Sequence, residues 1–176
     1  MKVLIVVGSA RQGRVAGKVA DYVASALGNR DGVEVETVDL ASLGLPFFDN
    51  QTLPAMEGYV PNTQAGLDWQ AAVMGADRVV MTVAEYNHSY TPVLKNALDH
   101  LYKEWSGKPV ALVGYGSVGG ARAIAALEPV IGNVGIELRS DEARLVFGEH
   151  LSYSGEIIDQ EATAKLIDGT LDKLLA

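Results

Sequence analysis

Five strand-like segments alternate with segments of helical periodicity along this chain. Val3-Leu4-Ile5-Val6-Val7 is an unbroken apolar run, as expected of a strand buried on both faces of a sheet. Ala16, Val19, Ala20, Val23 and Leu27 follow at helical spacing and predict a helix with one apolar face. Val33 to Val38 alternates apolar and acidic residues, the pattern of a strand nearer a sheet edge. Asp39 to Ala65 carries Pro46, Pro54, Pro61 and several glycines and reads as a long extended loop. Gly66 to Gly75 is expected to be a helix with Leu67, Ala71 and Met74 inward and Trp69 unassigned. Arg78 to Val83 is the third strand. Thr91 then caps a helix with Pro92 at its first position and Leu94, Ala97, Leu98 and Leu101 on one face. Lys108 to Val113 is the fourth strand, and a helix from Ala121 to about Ile131, bent at Pro129, comes after it. The fifth strand falls somewhere within Gly135 to Phe147. Asp159 caps a final helix whose Ile167, Leu171, Leu174 and Leu175 face the sheet.

Strictly alternating strands and helices call for a parallel sheet covered by helices on both faces, an α/β fold. The 176 residues form one domain, 1–176, with no internal repeat or linker. The absence of cysteine excludes disulfides, thiolate catalysis and Cys-ligated metals. A net charge of -8 argues against nucleic acid or an anionic membrane as partner. The first apolar run is too short for a signal-peptide core or a membrane span, so a cytoplasmic protein is expected.

Three loops stand out, after strands one, three and four. In a parallel sheet these all leave from the same rim, past the carboxyl ends of the strands, where ligands bind. Gly8-Ser9-Ala10-Arg11-Gln12-Gly13-Arg14 opens a helix. Residues 1–20 contain Lys2, Arg11, Arg14 and Lys18 and no acid, within an acidic chain. Glycines, orphan helix amides and arginines together suit a phosphate. The loop matches neither G-x-G-x-x-G nor a P-loop. The second loop, Glu85-Tyr86-Asn87-His88-Ser89-Tyr90, has more polar and aromatic residues than a connection needs. The third, Gly114-Tyr115-Gly116-Ser117-Val118-Gly119-Gly120, would let backbone lie against a flat ring.

The stretches GSARQGR, LPFFDN (Leu45 to Asn50), EYNHSYTPVLKNALDHLYKEW (Glu85 to Trp105) and KPVALVGYGSVGGARA (Lys108 to Ala123) resemble the NADPH-dependent FMN reductases. The resemblance runs to about residue 125. It implies a flavodoxin-like three-layer sandwich with a five-stranded parallel sheet, bound FMN, and NADPH or NADH as co-substrate. It further implies a small-molecule acceptor and a homodimer or homotetramer. Carried over by position, Ser9, Arg11, Arg14 and Val15 would hold the phosphate. Glu85, Tyr86, Asn87 and His88 would line the ring and its chain, and Tyr115, Gly116 and Ser117 would close the ring's other edge. Two positions depart from the pattern. Many relatives place proline where this chain has Ala84, and Ser and Asn where it has Arg14 and Val15.

Other side chains are more ambiguous. Lys95 and Asn96 either tie down a loop or touch ligand. Asp99, His100 and Glu104 have a spacing that a metal could use, but a solvated helix face explains it more simply. Phe47, Phe48, Tyr59 and Trp69 belong to the core or to a partner surface. A flavodoxin-type electron carrier is the main rival reading, although an arginine-rich phosphate loop sets this chain apart from it. A response-regulator receiver would need acids where Gly8-Ser9 stand. A flavin-free sugar- or nucleotide-binding domain is a third possibility.

Overall fold

A computed structural model describes residues 1–139 and 142–176. The sheet is parallel, with β1 (Lys2–Gly8), β2 (Glu34–Asp39), β3 (Arg78–Ala84), β4 (Pro109–Gly116), β5 (Glu137–Leu138) and β6 (Ala143–Val146). Its order is β2-β1-β3-β4-β5, with β6 also on β4. This is the flavodoxin-like doubly wound order. β5 pairs at Pro109 and Val110, and β6 at Val113 to Gly116, so two short strands share the fifth position. The polar run Arg139-Ser140-Asp141-Glu142 separates the two apolar pieces. Ser140 and Asp141 lie outside the described residues.

Alternate side chains of each strand feed two cores. Val3, Ile5, Val7, Val80, Ala111 and Val113 pack beneath α1 (Ala16–Gly28) and α6 (Gln160–Leu175). Leu4, Val6, Val79, Met81, Val83 and Leu112 pack beneath α3 (Gln64–Gly75), α4 (Pro92–Asp99) and α5 (Ala121–Asn133). The expected inward face of α1 is the buried one. α5 runs through Pro129 to Asn133.

α3 differs from the expected phase. Leu67, Ala71 and Met74 are exposed, whereas Gly66, Trp69 and Val73 are buried. Trp69 sets the rotation. Its ring lies 5.8 Å from that of Trp105, and its Nε1 donates to the Ala97 carbonyl at 2.8 Å. A large ring with a satisfied N–H outweighs three smaller apolar side chains.

The long segment after β2 is only partly irregular. Asp39 caps a short helix, α2 (Leu40–Leu43), by accepting from the Ala41 amide, and Gly44 ends it in the left-handed region. The following loop is pinned to α4. Asn96 accepts from the Phe48 amide at 3.1 Å and donates to the Pro46 carbonyl at 2.8 Å. His100 Nε2 sits 3.0 Å from the same carbonyl, and Tyr59 donates to the His100 carbonyl at 2.7 Å. His100 is therefore a buried loop anchor, not part of a solvated face. Among the described residues no group of His, Asp and Glu could hold a metal, and no helix is long and apolar enough to cross a membrane.

Trp69→Ala is expected to lower stability by about 3–5 kcal/mol in denaturant unfolding. Met74→Ala, on the same helix, should change it by less than ~0.5 kcal/mol.

Candidate functional site

Parallel register places Gly8 beside Val83, and Val83 beside Gly114. The loops after β1, β3 and β4 consequently leave the sheet at one level. Glycine is required at the first exit, because a Cβ on Gly8 would stand 2.2 Å from the Thr82 carbonyl oxygen. The Gly8 amide donates to Thr82 Oγ1 at 3.0 Å. Thr91 Oγ1 donates to the Gly8 carbonyl at 2.7 Å and accepts from the Leu94 amide at 3.2 Å. One buried hydroxyl thus caps α4 and ties it to the first loop.

The second loop is a tight reversal. Tyr86 and Ser89 exchange backbone hydrogen bonds of 2.8 and 3.0 Å around Asn87 (φ 49°) and His88 (φ 66°). Positive φ at both central residues marks the mirror-image turn that Asn tolerates well. The third loop follows β4 directly. A Cβ on Gly120 (φ 72°) would meet the Tyr115 nitrogen and the Val83 carbonyl, each at 3.0 Å.

These loops enclose a cleft of about 420 Å³ lined by Ser9, Arg11, Arg14, Val15, Ala84, Glu85, Tyr86, Asn87, Tyr115, Gly116, Phe147 and Tyr153. The residues singled out from the sequence are brought together there, except His88 and Ser117, which are exposed and stand outside the lining. Phe147 and Tyr153 were not foreseen. An apolar run ending in Phe147-Gly148 carries the same strand-then-glycine punctuation as the other loops. Without the limits of the fifth strand, that signal could not be placed on the rim.

Polar groups line the cleft floor. Ser9 is 1% exposed, and its hydroxyl lies 2.7 Å from the Tyr86 hydroxyl. Burial pushes the Tyr115 phenol well above its ordinary pKa, more than the neighbouring Ser9, Arg11 and Arg14 pull it down. Tyr115 is therefore a neutral hydrogen-bonding group throughout the physiological range.

The helices that follow these three loops differ at their N-termini. α4 is capped by Thr91. At α5, Glu85 reaches across from the second loop, accepting from the Arg122 amide at 3.3 Å and its guanidinium at 3.0 Å. α1 starts after Val15 with no side-chain cap and no acid in its first turn. Val15, at the start of that helix, lines the cleft together with Arg11 and Arg14, and the first-turn amides of a helix have no intrahelical partner. Arg14 donates to Asp39 through Nη2, while its buried Nε has no partner among the described residues.

The sequence pattern of the NADPH-dependent FMN reductases matches residues 1–143. The chain belongs to that family. One family relative, an NAD(P)H-dependent FMN reductase of Schizosaccharomyces pombe, is 38% identical over 132 residues. That match covers 74% of this chain and 66% of the relative, just under two thirds of its length. An NAD(P)H-dependent FMN reductase of Saccharomyces cerevisiae is 34% identical over 142 residues, covering 74% of this chain and 73% of the relative. Among solved structures, the flavoenzyme NAD(P)H:(acceptor) oxidoreductase FerB from Paracoccus denitrificans superposes with a TM-score of 0.77. It covers 99% of this chain and 97% of FerB at 24% identity, a likeness of fold. Phe147 and Tyr153 lie beyond the family-matched residues.

In this family member, Thr91→Val should cost about 1–2 kcal/mol by removing the α4 cap and the tie to Gly8. Urea unfolding measures the loss.

Proposed function

We propose that this chain is an FMN-dependent NAD(P)H oxidoreductase. Electrons pass from the nicotinamide to bound FMN and on to a small acceptor such as a flavin or a quinone. The observation that carries this reading is the open N-terminus of α1. Among the described residues, α1 is the one of the three helices following these loops whose start has no side-chain partner, and Arg11 and Arg14 stand on the loop that leads into it. Orphan amides, a helix dipole and the unpartnered Nε of Arg14 fit a phosphate. The glycine backbone of the third loop and the aromatic side chains beside it fit a flat ring.

FMN, when bound, supplies the two-electron chemistry by taking a hydride from NAD(P)H and passing electrons to the acceptor. The protein's part is binding, orientation and electrostatics. Ser9 and the α1 amides would seat the phosphate, and Arg11 and Arg14 would neutralise it. Asp39 holds Arg14 in position. Glu85 is 12% exposed at its side chain, and its charge is matched by Arg122 and the start of α5. It therefore adds little repulsion toward an electron-rich ring. Tyr115 stays neutral and can donate to the cofactor's polar chain.

Self-association as a homodimer or homotetramer is the second part of the proposal. Phe47 is 81% exposed, and Leu53, Met56 and Val60 on the same long loop are also exposed, an apolar surface suited to a second copy. Sedimentation velocity at two concentrations tests it, and a monomer at both excludes it.

Purified protein is expected to be yellow and to turn over NADPH or NADH steadily with a quinone acceptor. One stoichiometric reduction without turnover would instead make it an electron carrier. Arg11→Ala should weaken FMN roughly 10- to 100-fold, the loss of one charge-assisted contact. Binding of riboflavin, which lacks the phosphate, should stay within about twofold. Equal losses for both ligands would remove Arg11 from the phosphate seat.

A further inference from the structure

Residues 147–158, beyond the family-matched segment, form a strap across one side of the cleft. It starts on the third loop, where the Phe147 amide donates to the Gly116 carbonyl at 3.0 Å. Leu151 pairs with both Phe147 and Ile157 through isolated β-bridges, and Leu151 is fully buried. Between Ser152 and Glu156 the chain reverses, with the Ser152 amide donating to the Glu156 carbonyl at 2.8 Å and the Gly155 amide to the Ser152 carbonyl at 3.0 Å. Tyr153 sits on this reversal.

The strap is fastened to α1. Gly155 packs so tightly there that a Cβ would lie 2.8 Å from Val15 Cγ1 and 3.1 Å from Lys18 Cδ. Lys18 pairs with Glu156, whose carboxylate also accepts from Ser152 at 2.9 Å and from Ser154. These bonds, that with Lys18 first, pull the Glu156 pKa from 4.5 down to about 2. The latch thus remains charged throughout the physiological range.

Held in this way, Tyr153 is still 78% exposed. Its ring packs on Phe147 at 5.2 Å, and Phe147 lies edge-on to Tyr115 at 6.4 Å. Tyr115, Phe147 and Tyr153 form a staircase of rings from the buried floor of the cleft to its mouth, and all three line it. A costly set of backbone and side-chain bonds fixes an aromatic side chain whose outer surface is left bare beside a cleft.

We propose that Tyr153, supported by Phe147, is the stacking partner for the flat ring of the cofactor. The C-terminal strap would then add an aromatic wall to a site otherwise built from the three family loops. This rests on the reading of the cleft as an FMN site. Tyr153 touches no reacting atom in this account. It positions the ring, and Lys18 and Glu156 position Tyr153.

The test is FMN titration of the full-length protein, following flavin fluorescence and dissociation constant without any turnover. Tyrosine stacked on flavin quenches its emission. Wild-type protein should bind FMN with strong quenching. Tyr153→Ala should bind about three- to tenfold more weakly, with much of the emission restored, while Tyr153→Phe keeps wild-type affinity. Tyr153 is exposed, so its loss leaves the core intact, and a circular dichroism spectrum checks that. Glu156→Gln, which loosens the latch without touching the ring, should give an intermediate loss. Wild-type binding with Tyr153→Ala unchanged in affinity and emission overturns this proposal alone. Wild-type protein that binds no FMN overturns the reading of the site and this proposal with it.

Discussion

Parallel pairing of β1, β3 and β4 in one register is the constraint on which the site depends. Once Gly8, Val83 and Gly114 lie in a row across the sheet, three loops distant in sequence must emerge together. Burial on both faces makes that register costly to shift. A one-residue slip would exchange every side chain between the two cores. Thr82 and Thr91 then lock the exits with short buried bonds to Gly8. The base of the cleft is thus tied to the buried strands of the sheet.

The charge pattern is read best at the helix ends. An acidic protein keeps a cationic corner only if local acids are spent elsewhere. Here Asp39 is bound to Arg14 and Glu85 to Arg122, so neither carboxylate leaves unmatched charge in the cleft. Residues 1–20 contribute no acid at all. The open start of α1 is therefore favourable for an anion despite the net charge of -8. In the same way, Asn96 and His100 are committed to the Pro46 carbonyl and Lys95 to Asp99, which removes them as ligand groups and explains why the long loop lies flat on α4.

Most of the sheet was legible in the sequence, because strands buried on both faces are unbroken apolar runs. α4 and α6 were legible because a cap and a single apolar stripe agreed with each other, and α1 because its apolar stripe follows directly on a glycine-bearing turn. α3 was not. Its apolar residues occupy more than one face, and only the neighbouring Trp105 and the carbonyl of Ala97 choose which is buried. The fifth strand was blurred because four polar residues interrupt it, and strand pairing with β4 holds two pieces that local propensity would not join.

The sequence alone determined the alternation of strands and helices, the two-sided burial of the sheet, and the glycine- and arginine-bearing loop that opens α1. These follow from local period, local turn chemistry and charge, which are properties of neighbouring residues. Tertiary structure decided that α1 keeps a free N-terminus while α5 is capped by Glu85 from another loop. It also decided that Phe147 and Tyr153 stand beside Tyr115. Those facts join residues tens of positions apart, and only packing of the whole chain can bring such groups within reach of one another.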